Sequence, residues 1–122
     1  MRRSIAALAA LAAAVLACQD AGEPAAVACE NASHVEIPSP DARLGAWVFV
    51  RHCGDASSVQ VSILPADSMP PAEAGNAFAV SPVVEVTVAW PGDHRLRITH
   101  GAGEVSKQEY QVAGVTVSYE AR

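Results

Sequence analysis

Past residue 30 the chain alternates apolar and polar residues with a period of two, as strands do when their two faces meet different surroundings. The segment SVQVSIL (58–64) is the cleanest case, with Val59, Val61 and Ile63 on one face and Ser58, Gln60 and Ser62 on the other. VVEVTVAW (83–90) is the strongest, placing Val84, Val86, Val88 and Trp90 together. HRLRIT (94–99) buries Leu96 and Ile98 and exposes Arg95 and Arg97, and GVTVSYE (114–120) aligns Val115, Val117 and Tyr119. ARLGAWVFVRH (42–52) departs from simple alternation: Leu44, Ala46, Val48 and Val50 share one face, yet Trp47 and Phe49 occupy the other. Apolar groups on both faces predict a central strand covered on both sides. SHVEI (33–37) and VSKQEYQV (105–112) read as weaker strands.

Turn residues separate these runs at PSPD (38–41), CGDAS (53–57), PGD (91–93) and HGAGE (100–104). Proline presets φ in the first of them, and Asp41 can bond its own backbone. Across the 91–93 turn, Arg95 and Arg97 are expected beside Glu85, worth roughly 0.2–1 kcal/mol per pair. One long stretch, PADSMPPAEAGNAFAVSP (65–82), reads as irregular, with four prolines, Gly75 and Asn76. Such connections are uncommon in compact domains, so it is either a functional loop or a solvated excursion. No helical periodicity and no internal repeat follows residue 18. The expectation is an all-β domain over 29–122: six or seven antiparallel strands in a meander, forming a small sandwich or open barrel.

The first 17 residues differ in kind. Arg2 and Arg3 precede an uncharged apolar run from Ile5 to Ala17, long enough for a signal-peptide core and short of the roughly 20 residues that span a bilayer. A cleaved N-terminal signal helix is expected over 1–17. A core or amphipathic helix is the alternative, and apolar residues on every face speak against it. The junction Val15-Leu16-Ala17-Cys18 resembles the lipobox of bacterial lipoproteins. That resemblance implies diacylation of Cys18 on sulfur and cleavage just before it, although Leu16 is larger than usual there. Ordinary signal-peptidase cleavage at an A-x-A site is the rival. Each buried methylene contributes about 0.8 kcal/mol, so two or three acyl chains hold without a basic patch. Gln19, by resemblance to sorting in Gram-negative lipoproteins, favours the outer membrane over an alternative as a secreted, soluble periplasmic protein. Residues 18–28 then form the lipidated Cys and a tether with Gly22, Pro24 and two acids, QDAGEPAAVA over 19–28.

The chain has three cysteines. If Cys18 carries lipid, Cys29 and Cys53 remain as an even pair in an oxidising compartment, and a disulfide between them is expected. Two buried, unpaired thiols are the alternative. EIPSPDARLGAWVFVRHCGD (36–55), the SVQVSIL strand, VEVTVAWPGDHRLRI and VAGVTVSYE together resemble a group of small bacterial envelope proteins. Their shared pattern is a Ser-Pro-Asp turn, a strand ending in Arg-x-Cys-Gly and a Gln-Val-Ser-Ile strand. The resemblance implies a β domain and carries no activity. The Ser-Pro-Asp turn is also similar to that of TolB-type propeller blades, but one copy cannot build a propeller.

Charge narrows the partners. The sequence has eight basic and thirteen acidic residues, a net charge of −5; loss of Arg2 and Arg3 with the signal leaves six against thirteen, or −7. Arg95 and Arg97 are the only close basic pair left, so nucleic-acid binding is not expected. His34, His52, His94 and His100 raise the question of a metal. His94 and His100 stand about 20 Å apart on a straight strand, and His34 with His52 and nearby Glu36 falls short of the usual ligand set. Ser57 or Ser58 with His52 and Asp55 makes a local Ser/His/Asp set, but neighbours on a turn seldom align as a triad. No G-x-S-x-G occurs, and Cys53-Gly54 lacks a C-x-x-C. The carboxylate pairs Asp41/Asp55 and Glu104/Glu109 read as surface charge, and Asn31-Ala32-Ser33 as an incidental sequon. The expectation is a lipid-anchored envelope protein, not an enzyme and without metal or cofactor, that acts as a binding or structural accessory for an envelope partner. The alternative is a periplasmic inhibitor or ligand-binding module acting through 65–82.

Overall fold

The computed structural model describes residues 28–122; the expected signal helix over 1–17, Cys18 and the expected tether as far as Val27 lie outside the described residues. In chain order the strands are β1 Cys29–Pro38, β2 Leu44–Cys53, β3 Ala56–Pro65, β4 Phe78–Ser81, β5 Val86–Gly92, β6 Arg95–His100, β7 Glu104–Gln108, β8 Gln111–Val112 and β9 Val115–Ala121. They form a five-stranded sheet ordered β1-β2-β3-β4-β7 and a four-stranded sheet ordered β5-β6-β9-β8. The architecture is the expected all-β sandwich, and neither sheet closes into a barrel. Among the described residues no helix is long and apolar enough to cross a membrane.

The period-two faces meet between the sheets. Val59, Val61, Ile63, Phe78 and Val80 from the first sheet pack with Leu96, Ile98, Val115 and Val117 from the second. Each is at most 5% exposed, and complete burial of such a side chain contributes about 1.5–3 kcal/mol. Leu44, Val86, Val88, Trp90 and Tyr119 pack around this centre, on the faces the alternation assigned them.

The strand count and connections differ from a six- or seven-strand meander. The stretch 65–82 is not wholly irregular: β4 lies inside it, between β3 and β7, and Ala77, Phe78 and Val80 are completely buried. Residues 78–80 are buried on both faces, so they show no alternation, and Gly75 and Asn76 beside them read as breakers. The segment 105–112 divides between the sheets, β7 pairing with β4 and β8 with β9. This crossing to the other sheet and back brings β9 alongside β6 in parallel, with Leu96 opposite Val117. Arg95 and Arg97 do not meet Glu85; Arg122 takes that carboxylate at 2.7 Å, because β9 runs past β6 to the start of β5.

Turn chemistry sets the hairpins. Ala113 and Gly114 both have positive φ (53° and 77°), as a two-residue type I′ turn between Val112 and Val115 requires. The Ser-Pro-Asp turn closes on itself: Ser39 Oγ donates to Asp41 Oδ1 (2.8 Å), which also accepts from Arg43 N (3.1 Å), while Leu44 N donates to Ser39 Oγ (3.1 Å). These bonds, Ser39 first, hold the Asp41 carboxyl below its ordinary pKa. The sheet edges are blunted, by a bulge and Pro38 in β1, Pro91 in β5, Lys107 in β7 and the two-residue length of β8.

Candidate functional site

The outer face of the first sheet answers why β2 is apolar on both sides. Between β3 and β4 the chain folds back over that face as a strap, residues 66–77. Beneath it Trp47 stands opposite Ser62, and Phe49 opposite Gln60. Trp47 is 8% and Phe49 1% exposed, away from the inter-sheet core. In β1 the register slips between Ala32 and Val35, so Ser33 and His34 together face one residue of β2, and Ser33 takes φ 58°. Such a bulge re-aims a side chain. Here it lays the His34 ring on Phe49 (centroids 5.6 Å, 28° between planes) and edge-on to Trp47 (5.9 Å, 84°).

Polar side chains fasten the strap. Asn31 Nδ2 donates to the carbonyls of Pro71 and Glu73, both at 2.9 Å, while its Oδ1 accepts from Arg51 Nη1 at 2.9 Å. His34 Nε2 lies 3.0 Å from the Pro71 carbonyl. Gly75 N donates to Gln60 Oε1 (2.6 Å), and Asn76 N to Ser62 Oγ (3.1 Å). Asn76 does more: its Oδ1 accepts from Ile63 N (2.8 Å) and its Nδ2 donates to Ile63 O (2.9 Å). A side-chain amide thus stands in for the next peptide of β4 and extends the ladder by one pair. Gly75 is required by space, since a Cβ there would lie 2.7 Å from the Val61 carbonyl oxygen. Among the described residues, Trp47 Nε1 is the buried side-chain polar atom left without a hydrogen bond.

Between the strap and β3 runs an open groove of about 360 Å³, lined by Ser62, Leu64, Met69, Pro70, Glu73 and Asn76 among others. Met69, 81% exposed, stands at this groove. The arrangement offers apolar contact from Leu64, Met69 and Pro70, with the fastenings Ser62 and Asn76 in its wall.

The other residues singled out by sequence are dispersed. Cys29 and Cys53 form a disulfide with Cα atoms 4.2 Å apart, tying the start of β1 to the end of β2. For a separation of 24 residues the chain-entropy contribution is about 3.5 kcal/mol. His52 Nδ1 and Ser57 Oγ lie 2.8 Å apart across an exposed hairpin end, and no hydrogen bond joins Asp55 to either among the described residues. His34 is engaged by the strap, away from His52. His94 precedes β6 and His100 ends it; the His100 ring packs on Phe78 at 5.0 Å. Among the described residues no three His, Cys, Asp or Glu side chains gather to hold a metal. Asp41 and Asp55 sit at opposite ends of the ten-residue β2, about 33 Å apart. Glu104 opens β7 and Glu109 follows its last residue, both exposed. Tyr119 Oη donates its one hydrogen to the Glu109 carbonyl and lies 3.2 Å from the Ala77 carbonyl, and burial pushes its pKa up to about 12.

Sequence reasoning missed Asn31, Arg51, Gln60 and Asn76 as the groups that hold the strap. The available signal was indirect: a strand with Trp47 and Phe49 on its second face needs a cover, and the only long connection near it is 65–82. Compared with known protein families, curated proteins and solved structures, the chain matches none.

Proposed function

We propose that this is a lipid-anchored bacterial cell-envelope protein, an outer-membrane lipoprotein facing the periplasm, that serves as a non-enzymatic binding or structural accessory. The observation that carries the reading is the cysteine pairing. The disulfide takes Cys29 and Cys53 and leaves Cys18, at its lipobox-like junction, as the odd thiol. A stapled, acidic β domain then hangs from residues 19–28, and acyl chains supply the attachment that its charge cannot. Membrane fractionation with intact mass tests this. The mature protein should begin at Cys18 and carry a diacylglycerol adduct, and Cys18→Ser should release it from membranes. An unmodified Cys18 in the mature protein overturns the anchor.

A second reading, a periplasmic inhibitor or ligand-binding module acting through 65–82, draws on the fastened strap. Exposed Met69 and Pro70 sit on backbone that is already ordered, which lowers the entropy cost of contact. Deleting the strap is a poor test, because Asn76 and Phe78 belong to the fold. A photo-crosslinker at position 69 is a better one: in intact envelopes it should give a discrete adduct that the same group at position 116 does not.

A further inference from the structure

We propose that the outer face of the second sheet holds a binding site for a phosphate monoester, formed by Arg95, Arg97, Thr116 and Ser118. This goes beyond the envelope-accessory reading and does not depend on it. The parallel register sets Arg95 opposite Thr116 and Arg97 opposite Ser118, all four pointing away from the core. Strand geometry spaces them at about 7 Å along each strand and about 5 Å between strands. With Pro91 as a wall they line a cleft of about 350 Å³.

The cleft is chemically one-sided. Thr116 Oγ1 already accepts from Gln111 Nε2 at 2.8 Å, so its own hydrogen is left to donate outward. Both guanidiniums are donors only, and among the described residues neither forms an ion pair with a carboxylate. Among the described residues Arg122 has Glu85 and Arg51 has Asn31, while Arg43, like this pair, has no side-chain acceptor. Glu120, opposite Thr99, is the acid on this face next beyond Ser118, and it bounds the cleft rather than filling it.

Two fixed positive charges with two flanking hydroxyls match a tetrahedral dianion better than a carboxylate, which one guanidinium would satisfy. The chain's net charge of −5 opposes approach to an anionic bilayer, whereas a small soluble ligand reaches the cleft alone. The ligand is therefore a soluble phosphate monoester.

The test is an NMR titration of the purified protein with inorganic phosphate and with glycerol 3-phosphate, against sodium chloride at matched ionic strength. Both phosphates should move the Arg95 and Arg97 Nε–H signals and the Thr116 and Ser118 amides saturably, in the millimolar range, and chloride should not. Arg95→Gln, at an exposed position, should weaken binding at least tenfold with Leu96 and Val117 amides unmoved; Arg97→Gln should do the same. Equal shifts with chloride, or full binding by Arg95→Gln, overturn the site. A response only to vesicles of phosphatidic acid in phosphatidylcholine overturns the soluble ligand in favour of a headgroup.

Discussion

The two sheets share one core but treat their outer faces differently. The first lays aromatic rings on its outside and covers them with its own chain. The second leaves Thr87, Arg95, Arg97, Thr116 and Ser118 uncovered. The difference shows that a sandwich can carry a second, smaller apolar layer when one connection is long enough to fold back. It also separates two jobs. On the covered face, polar side chains satisfy backbone and so build structure; on the open face they have no such duty and remain available to ligand.

The largest effect that tests this contrast lies under the strap. Phe49→Ala removes a ring 1% exposed, and should cost about 3–5 kcal/mol in urea unfolding, as a core phenylalanine does. A cost under 1 kcal/mol would mean that the strap covers nothing of consequence. Next comes the fastening. Asn76→Ala leaves the Ile63 N–H and carbonyl unpaired, and should cost about 2 kcal/mol, with faster amide exchange at Gly75 and Ile63. Exchange unchanged at both sites would show the ladder extension to be dispensable.

The smallest effect concerns the link between the regions. Tyr119, on β9 of the second sheet, donates to the Glu109 carbonyl, and Glu109 N in turn donates to the Ala77 carbonyl at the foot of the strap. Tyr119→Phe should cost about 1 kcal/mol at neutral pH. Its pKa rises from 10.0 unfolded to about 12 folded, so the stabilisation is complete below pH 10. Above that the unfolded chain gives up the phenolic proton while the folded one keeps it, and stability falls as pH rises toward 12. The wild type should lose stability across that window more steeply than Tyr119→Phe, measured by thermal melts.

The comparison also explains what could be read in advance. Strands that face the core on one side announce themselves by alternation, and β3, β5, β6 and β9 were legible for that reason. β4 was not, because a short run buried on both faces lacks a period and its neighbours Gly75 and Asn76 resemble a loop. The parallel pairing of β6 with β9 was hidden too, since register within a sheet depends on the excursion through β7. The Cys29–Cys53 bridge followed from counting thiols. The strap's fastenings did not, because Asn31, Gln60 and Asn76 look like ordinary surface residues until the chain returns to meet them.

Asn31, His34 and Arg51 all grip the strap by its carbonyls, those of Pro71, Ala72 and Glu73, not by its side chains. Peptide oxygens are the same whatever residue bears them. The exposed side chains of Ala72 and Glu73 can therefore be exchanged, by mutation or by design, without loosening the grip. The domain is in effect a display frame: the grip on residues 71–73 does not read their side chains, while Ser68, Gly75 and Asn76 fix the ends of the strap through their own identity.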